Sequence, residues 1–249
     1  WLPIQASGTG ALTTRASLVA SNPTRSVMTI VSDQDRHLFH LGTETTIGNP
    51  STQDKMFIRF SDQEDISDYQ PTSINTAGTL RIDNGTQIIG ATKGKDYIMI
   101  HTNTAAYVTQ FVGPPFTFSI RQVGANCGLI GQKASVFVDG AVYWMSDEGG
   151  FFVYDGTVKK LPCLVEDFVF QTTGSNLGIN RNAGEQVCAV HNSLFSEISW
   201  FYPKSGSNTV DRVVTYNYAE GTWVTGSLAR TSGADASIYD KPYMTEFTE

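Results

Sequence analysis

The stretch Val136-Phe-Val-Asp-Gly-Ala-Val-Tyr-Trp-Met145 decides the fold class of this chain. Two short apolar segments flank Asp139-Gly140, a pair that favours a two-residue type I′ hairpin turn because both of its positions need a positive φ. The same unit returns at 151–161, where Asp155-Gly156 predicts a second turn of this kind, and at 213–224. Such repetition is typical of a β-propeller or a propeller-like array of four-stranded antiparallel blades.

Strand-type segments continue outward from this stretch through most of the chain. Apolar and β-branched runs bounded by turn residues predict strands at 27–32, 37–41, 55–60, 86–91, 97–101, 106–112, 117–121, 134–138, 141–145, 151–154, 158–161, 185–190, 197–202, 211–217 and 222–225. Three groups of about four strands recur every ~45 to 55 residues, as propeller blades do. The first group, 27–60, is expected to be a shorter or partial blade, and 165–170 fits either a short helix or an extended link. We therefore predict an irregular connector at 1–25 and an all-β, propeller-like domain at 26–249.

Two irregular segments are candidates for contacts with other subunits. Residues Ser61 to Gly85 show little periodicity and predict a long loop, and loops of that length are often functional or interfacial. Gly113-Pro114-Pro115 interrupts the following sheet, because proline cannot donate a hydrogen bond to a strand ladder. Within the loop, we expect a charged side chain at Ile66 or Tyr69 to impair assembly with other subunits while the monomer stays folded.

The composition limits the classes of partner. Of 249 residues, 40% are hydrophobic and 16% are charged, with 17 Lys and Arg against 24 Asp and Glu. No basic cluster is present, so the sequence lacks the footprint of a nucleic-acid-binding protein, and its acidity disfavours tight DNA binding without preventing DNA passage. No apolar run reaches the ~20 residues of a membrane-spanning helix. The chain runs from Trp1 to Glu249 without an initial Met, and we expect it to be a piece of a longer polypeptide.

The histidines and cysteines give no sign of a reactive centre. His37 and His40 are three apart in a predicted strand and so point to opposite faces, which argues against a shared metal ion. His101 and His191 are expected to lie at the surface or to be hydrogen bonded. The chain has three cysteines that are far apart in the sequence: Cys127, Cys163 and Cys188. We expect them to be buried free thiols.

The acidic residues raise the alternatives of calcium binding and of glycoside hydrolysis. Paired carboxylates suit either chemistry, and the densest run holds Asp62, Glu64, Asp65 and Asp68. This run lacks the spacing of a calcium-binding loop, so a solvated loop is the simpler interpretation. Turn formation likewise accounts for Asp33 and Asp35.

Other motifs are incomplete. Gly94-Lys95 lacks the remainder of a phosphate-binding loop, no Gly-x-Ser-x-Gly is present, and a hairpin turn explains Asn84-Gly-Thr86 better than glycosylation does. We expect the aromatic side chains of the strands to form blade cores, with a carbohydrate platform as the alternative; they are Tyr143, Trp144, Phe151, Phe152, Trp200, Phe201, Tyr202 and Trp223. The sequence therefore predicts no catalytic, cofactor-binding or metal-binding residues, and no enzyme activity.

Several segments together resemble a family of phage proteins. They are Ile58-Arg-Phe-Ser-Asp-Gln-Glu-Asp65, Asn75-Thr-Ala-Gly78, Phe111-Val-Gly-Pro-Pro-Phe-Thr-Phe118, Gly124-Ala-Asn-Cys-Gly-Leu-Ile-Gly131, Val142-Tyr-Trp-Met-Ser146, Phe152-Val-Tyr-Asp-Gly156 and Leu161-Pro-Cys163. In this order and spacing, which extends from about Ser32 to Arg230, they are similar to the packaged-DNA-stabilisation and tail-hub (nozzle) proteins of short-tailed, double-stranded-DNA phages.

The resemblance implies a structural role in the virion. It implies a propeller-bearing subunit, with six copies in a ring below the portal and adaptor proteins and next to tail fibre or tailspike proteins. The ring would extend the DNA channel and retain the packaged genome until ejection, with no catalytic residues and no sequence-specific DNA contact. The alternatives are a carbohydrate-binding or carbohydrate-cleaving propeller, and a propeller that serves as a generic protein-interaction scaffold.

Overall fold

The structure is a computed structural model that describes residues 22–236 and 241–246, together with two short strands near the amino terminus. These are β1 (Ile4–Gln5) and β2 (Thr13–Thr14), which pair antiparallel as a two-stranded sheet. Most of the predicted connector at 1–25 therefore lies outside the described residues.

Four sheets of four strands make up most of the fold, and in each the strands are neighbours in chain order. The first contains β3 (Met28–Ser32), β4 (His37–Leu41), β5 (Phe57–Phe60) and β6 (Gly78–Arg81). The second contains β7 (Ile88–Lys93), β8 (Ile98–Thr102), β9 (Ala105–Gly113) and β10 (Thr117–Ala125). The third contains β11 (Ser135–Val138), β12 (Ala141–Met145), β13 (Phe151–Tyr154) and β14 (Val158–Lys160). The fourth contains β15 (Cys188–Asn192), β16 (Glu197–Tyr202), β17 (Arg212–Asn217) and β18 (Thr222–Gly226).

A smaller sheet, a short α-helix and two 3-10 helices, Pro50–Thr52 and Arg181–Gln186, complete the described elements. Strands β19 (Ser232–Ala234) and β20 (Tyr243–Thr245) pair antiparallel after the fourth sheet. Helix α1 (Glu166–Phe170) lies between the third and fourth sheets, so the helical alternative for 165–170 is confirmed. The predicted all-β fold of antiparallel, propeller-like blades is confirmed.

The blades fall into two compact units. One consists of Trp1–Thr102 and Tyr107–Gln122, and the other of Asn103–Ala106 and Val123–Glu249. Within the first unit β3 contacts β7, and within the second β11 contacts β15 and β15 contacts β19. Within each unit the first strand of one sheet therefore adjoins the first strand of the next, which is how successive propeller blades pack.

The two Asp-Gly turns differ in length. Asp139 (φ 49°) and Gly140 (φ 89°) both have positive φ, and Val138 pairs with Ala141 across them, as the type I′ prediction requires. In the next hairpin Tyr154 pairs with Val158 across three residues, of which only the glycine has a positive φ. The prediction of a second two-residue turn was therefore wrong.

The first blade is complete, which corrects the prediction of a partial blade. Its fourth strand, β6, lies inside the segment 61–85 that was predicted to be a loop. Glycine is required at the start of this strand, because a Cβ on Gly78 would lie 2.4 Å from the ring of Phe60. A short strand that begins with glycine has little intrinsic preference for extended structure, so its partner β5 determines it.

Aromatic side chains fill the cores of both units. In the first unit Phe39 and Phe60 pack against Phe118, with ring centroids 4.7 and 5.0 Å apart. In the second unit Trp144 and Trp200 are both fully buried. Their indole N–H groups donate to the main-chain oxygens of Cys127 (2.8 Å) and Ala134 (3.0 Å), so neither buried polar atom lacks a partner. The predicted core role of the strand aromatics is confirmed at these positions and at Phe151, Phe201 and Tyr202, whereas Tyr143, Phe152 and Trp223 are partly exposed.

Candidate functional site

His37 is a core residue of the first unit. Its side chain is fully buried, and its ring lies 5.0 Å from the ring of Phe118 and 5.8 Å from that of Phe111. Its Nε2 is 3.0 Å from the hydroxyl of Thr76. Burial lowers the pKa of His37, although nearby Asp35 opposes the shift, so the neutral ring is favoured.

His40 and His101 are also buried or partly buried, and the polar partner of His40 differs from that of His37. The Nε2 atom of His40 lies 3.2 Å from the hydroxyl of Tyr69, and burial lowers the pKa of His40 to about 4. His101 is fully buried, and burial lowers its pKa to about 3. Of the two alternatives expected for His101, the surface position was therefore wrong. The opposite orientation of His37 and His40 agrees with their different neighbours.

His191 connects three elements of the second unit. It lies within β15 rather than at the start of a turn. Its Nε2 is 3.1 Å from the hydroxyl of Tyr218, and its Nδ1 is 3.4 Å from a carboxylate oxygen of Asp235. This Asp235 carboxylate also accepts hydrogen bonds from the backbone N–H and hydroxyl of Ser193, both at 2.9 Å. The cluster ties the residue after β19 to the β15–β16 turn, which is a structural role.

The acidic run of the first unit forms turns. One oxygen of Asp62 accepts from the backbone N–H (2.7 Å) and the hydroxyl (2.6 Å) of Thr76, and the side-chain amide of Asn75 donates to Asp68 (2.9 Å). Burial alone would raise the pKa of Asp62, but these hydrogen bonds outweigh it and the pKa is lowered. In the described part of the chain, no three His, Cys, Asp or Glu side chains are placed to hold a metal ion.

A buried carboxylate, Glu44, was not identified from the sequence. It has no exposed surface and accepts hydrogen bonds from the backbone N–H groups of Thr24 (2.8 Å), Arg25 (2.8 Å) and Gly48 (2.9 Å). Buried Arg59 lies nearby and donates to the backbone oxygen of Glu44 (3.4 Å). The carboxylate anchors the segment that enters the first blade. Its partners are up to 20 residues away, so no local pattern reveals it.

The remaining candidates from the sequence are the cysteines and the segment Asn84-Gly-Thr86. All three cysteines are free thiols; Cys127 and Cys188 are buried and Cys163 is partly exposed. Burial raises the pKa of Cys127 and of Cys163 to about 11, which makes both weak nucleophiles. The segment Asn84-Gly-Thr86 lies in the connection between the first and second sheets, so the hairpin explanation for it was wrong.

One cleft in the first unit has a volume of about 70 Å³. It lies between the β3–β4 turn and the β7–β8 turn, which contains Gly94-Lys95, and Phe118 contributes to its wall. The Nζ atom of Lys93 bridges both oxygens of Asp33 at 2.8 Å. Because these charges neutralise each other and the space suits only a few water molecules, the cleft offers no clear ligand chemistry.

Both expected contact segments place apolar side chains in solvent. In the 61–85 segment Ile74 is 96% exposed; near the end of β9 Val112 is 54% exposed, and in the turn that follows Phe116 is 78% exposed. Tyr69, in contrast, is 1% exposed. Choosing Tyr69 as a position that tolerates a charge was therefore wrong, because a charge there would enter the core of the first unit. Ile74 is the better probe of this segment.

Comparisons with known proteins identify no family and no function for this chain. No protein family and no curated protein matches the chain. The extracellular domain of a hybrid two-component system from B. thetaiotaomicron aligns with a TM-score of 0.45 and 11% identity, over 86% of this chain and 29% of that one. A variant of the Synechocystis apocarotenoid oxygenase aligns with a TM-score of 0.41 and 10% identity, over 89% and 55%. A functionally unknown protein from Desulfotomaculum acetoxidans aligns with a TM-score of 0.42 and 12% identity, over 88% and 75%.

The chain spans less than a third of the length of the two-component-system domain that it matches. At this level of similarity, none of these proteins identifies a ligand or reaction for the present chain. Among the described helices, none has the length and apolar character needed to cross a membrane.

Proposed function

We propose that this chain is a structural subunit of the tail hub, or nozzle, of a short-tailed double-stranded-DNA phage. In this role six copies form a ring that continues the DNA channel below the portal and adaptor proteins. The ring adjoins tail fibre or tailspike proteins and helps to retain the packaged genome until ejection. Its contribution is geometric, so the proposal assigns it no reaction.

The observation that carries the proposal is the match between sequence resemblance and architecture. The segments that resemble the tail-hub family extend from about Ser32 to Arg230, and four complete antiparallel blades occupy the same range. The titratable side chains considered as reactive groups serve packing and turn formation instead. Antiparallel blades of this kind are better suited to form the wall of a channel than to form a catalytic cleft.

The charge of the chain suits a channel that DNA passes without being held. With 17 Lys and Arg against 24 Asp and Glu, the net charge is -7. Each phosphate that a protein neutralises adds salt-dependent affinity for DNA, so a surface with few cations holds a duplex weakly. We expect no sequence-specific DNA binding, and only weak binding at low salt.

Negative-stain imaging of the full-length protein tests this proposal. Six-fold rings with a central hole are the expected result. Monodisperse monomers would instead favour an interaction scaffold, and binding to a glycan array or release of sugar would favour the carbohydrate alternative. Either of these results without rings would overturn the tail-hub proposal.

A pair of matched variants tests whether the 61–85 segment lies in the ring contact. Ile74 and Leu164 are 96% and 98% exposed, so a glutamate at either position leaves the core of its own unit intact. We expect Ile74→Glu to reduce the fraction of rings at least ten-fold and Leu164→Glu to leave it unchanged. Normal rings from Ile74→Glu would remove this segment from the interface.

A further inference from the structure

Three tyrosine rings gather where the third and fourth sheets meet in the second unit. Tyr143 follows the Asp139-Gly140 turn in β12, whereas Tyr216 lies in β17 and Tyr218 just after it. The ring centroid of Tyr143 is 6.4 Å from that of Tyr216 and 6.4 Å from that of Tyr218. All three residues are partly exposed, so this tyrosine cluster forms part of the surface of the second unit.

Contacts with neighbouring side chains hold two of the rings in place. Trp223 packs on Tyr216 with ring centroids 4.5 Å apart, and the same indole lies 4.7 Å from the fully buried ring of Phe151. The hydroxyl of Tyr218 is 3.1 Å from Nε2 of His191. Rings that are held in this way lose little conformational freedom when a ligand binds, which favours binding.

The distances between the rings suit a positively charged group. The planes of Tyr216 and Tyr218 are tilted by 46° and 34° from that of Tyr143, so neither pair is stacked face to face. A cation about 4 Å above the midpoint of two centroids 6.4 Å apart would lie about 5 Å from each of them. Cation–π attraction extends to about 6 Å from a ring centroid. One cation can therefore interact with two of these rings at once.

Carboxylates make the electrostatic potential at the cluster negative. Burial raises the pKa of Tyr143, and the two neighbouring tyrosines and then Asp139 and Asp155 raise it further. Lys159 forms an ion pair with Asp155 at 2.7 Å, whereas no ion pair among the described residues includes Asp139. Asp139 is exposed, so its charge is available to a ligand from solvent. The charges and the aromatic rings both attract a cation and disfavour an anion.

Apolar side chains extend this surface along the β15–β16 turn. Leu194 and Phe195 are 53% and 64% exposed. The side-chain amide of Asn217 donates to the backbone oxygen of Phe195 at 3.1 Å, and the Tyr218 N–H donates to that of Ser196 at 2.9 Å, so the turn adjoins the cluster. Tyrosine and phenylalanine are enriched in protein–protein interfaces. Together the cluster and the turn match a protein segment better than a small free amine.

We propose that the tyrosine cluster, with Asp139, binds the cationic side chain of a lysine or arginine in a partner protein. The charged group lies over the rings near Asp139, and the aliphatic part of the side chain packs on the aromatic surface. Apolar neighbours of that lysine or arginine contact Leu194 and Phe195. This inference goes beyond the proposed function and does not depend on it, because every residue involved belongs to the second unit of one chain.

Fluorescence anisotropy of labelled peptides added to the full chain tests this proposal. The probes are pentapeptides of glycine and leucine that carry lysine, arginine or glutamine at the central position. We expect the lysine and arginine peptides to bind at least about ten-fold more tightly than the glutamine peptide, with a preference that decreases as salt is added. Equal binding of the three peptides would overturn the proposal.

A free cation distinguishes protein docking from the binding of small amines. The n-butylammonium ion has the charged end of a lysine side chain without a peptide around it. We expect it to compete with the lysine peptide at least about ten-fold more weakly than an unlabelled copy of that peptide does, because it cannot reach the apolar turn. Equal competition would overturn docking of a protein segment and would indicate a small-amine site.

A pair of charge variants tests the role of Asp139. Asp139→Asn keeps the hairpin, because Asn-Gly also favours a type I′ turn. Glu185→Gln removes one negative charge from an exposed position near Gly131, which precedes β11, whereas Asp139 follows that strand. We expect Asp139→Asn to weaken binding of the lysine peptide at least about three-fold and Glu185→Gln to leave it unchanged. Equal affinities of the two variants would contradict the placement of the cation.

Two substitutions at Tyr143 separate the aromatic contribution from packing. Tyr143→Phe keeps the ring, whereas Tyr143→Leu keeps an apolar side chain and removes the ring. We expect the leucine variant to bind the lysine peptide at least about five-fold more weakly than the phenylalanine variant, with the same circular dichroism spectrum. Equal affinity of the two folded variants would refute the cation–π contact. A neutral oligosaccharide that binds the wild type and not Tyr143→Leu would overturn the proposal in favour of a sugar platform.

Discussion

Replacing Glu44 by glutamine tests the account of the first blade most directly. One oxygen of the buried carboxylate accepts from the Thr24 N–H (2.8 Å), the Thr24 hydroxyl (3.0 Å) and the Gly48 N–H (2.9 Å). Among the residues that the structure describes, the other oxygen accepts only from the Arg25 N–H, at 2.8 Å. Glutamine is nearly isosteric with glutamate, so the substitution changes hydrogen bonding and charge while packing is preserved.

The expected cost follows from counting donors. The glutamine carbonyl can take the place of the oxygen with three donors, and its NH₂ group then faces the N–H of Arg25. The Arg25 N–H, whose bond to the carboxylate is only partly buried, loses its partner, which costs about 1–3 kcal/mol, and the remaining bonds lose the contribution of the negative charge. We expect Glu44→Gln to lower the free energy of unfolding by about 2–4 kcal/mol.

Urea unfolding and amide hydrogen exchange measure this loss. We expect a lower unfolding midpoint and faster exchange at the N–H groups of Thr24, Arg25 and Gly48. Glu64→Gln is the matched control, because the Glu64 side chain is 57% exposed in an ion pair with Arg36, and such surface pairs contribute about 0–1 kcal/mol. If both variants unfold at the same urea concentration, the anchoring role of Glu44 is refuted.

The pH dependence gives an independent check on Glu44. Burial alone would raise its pKa, but the hydrogen bonds from Thr24, Gly48 and Arg25 outweigh burial and lower it from the ordinary 4.5. A carboxyl group with a lowered folded-state pKa stabilises the fold above its unfolded pKa, and this stabilisation is lost as the pH falls through the folded value. The stability difference between wild type and Glu44→Gln should therefore shrink below pH 4.5.

Three further predictions concern the cores and turns. Burial lowers the pKa of His40 from 6.5 to about 4, so the unfolded chain takes up a proton there before the folded chain does, and the free energy of unfolding should fall by about 3 kcal/mol as the pH falls across that interval. Urea titrations of His40→Gln should show a smaller decrease in the free energy of unfolding over the same pH range. An identical pH profile for the variant and the wild type would contradict the assignment. Trp200→Phe removes a buried indole N–H and part of the ring. We expect chemical denaturation to show a free energy of unfolding that is lower by about 2–4 kcal/mol. A decrease below about 0.5 kcal/mol would show that the core tolerates the change. Gly128→Ala would place a Cβ 2.0 Å from the backbone oxygen of Asn103, whereas the Cβ of Gly140→Ala, at φ 89°, meets no atom within 4 Å. We expect poor solubility or a loss of more than about 3 kcal/mol in the free energy of unfolding for Gly128→Ala, and a loss of about 1–2 kcal/mol for Gly140→Ala. Equal thermal unfolding of the two variants would refute the contact argument.

Strands with strong apolar content were predictable from the sequence alone. The bounds predicted for β4, β12, β13 and β16 are those of the structure. In these strands β-branched and aromatic residues dominate, and turn residues define both ends. The Asp139-Gly140 turn was also predictable, because its two positive φ values are a local requirement.

Strands held mainly by their neighbours were missed. Strands β6, β19 and β20 are short, and the first two contain glycine. Their extended conformation depends on pairing and on close approach to other strands, as at Gly78 and Gly233. Such contacts join residues far apart in the sequence, so no local periodicity signals them.

The same limit applies to the buried polar groups. Tyr69 lies in a segment with little periodicity, yet it is buried and its hydroxyl is 3.2 Å from His40. Glu44 looks like a surface residue in the sequence, and only the folded chain brings Thr24 and Gly48 to its oxygen. A sequence pattern can predict that a polar residue lies near a strand, but its burial depends on segments that fold over it.

The placement of the tryptophans makes the two halves of the molecule optically distinguishable. Trp144, Trp200 and Trp223 all belong to the second compact unit, and Trp1 is the one other tryptophan in the sequence. In a Trp1→Phe background, ultraviolet-excited emission would follow the second unit alone, while peptide-bond absorption would follow both. One heated sample would then reveal whether the halves melt as a single cooperative body or in sequence.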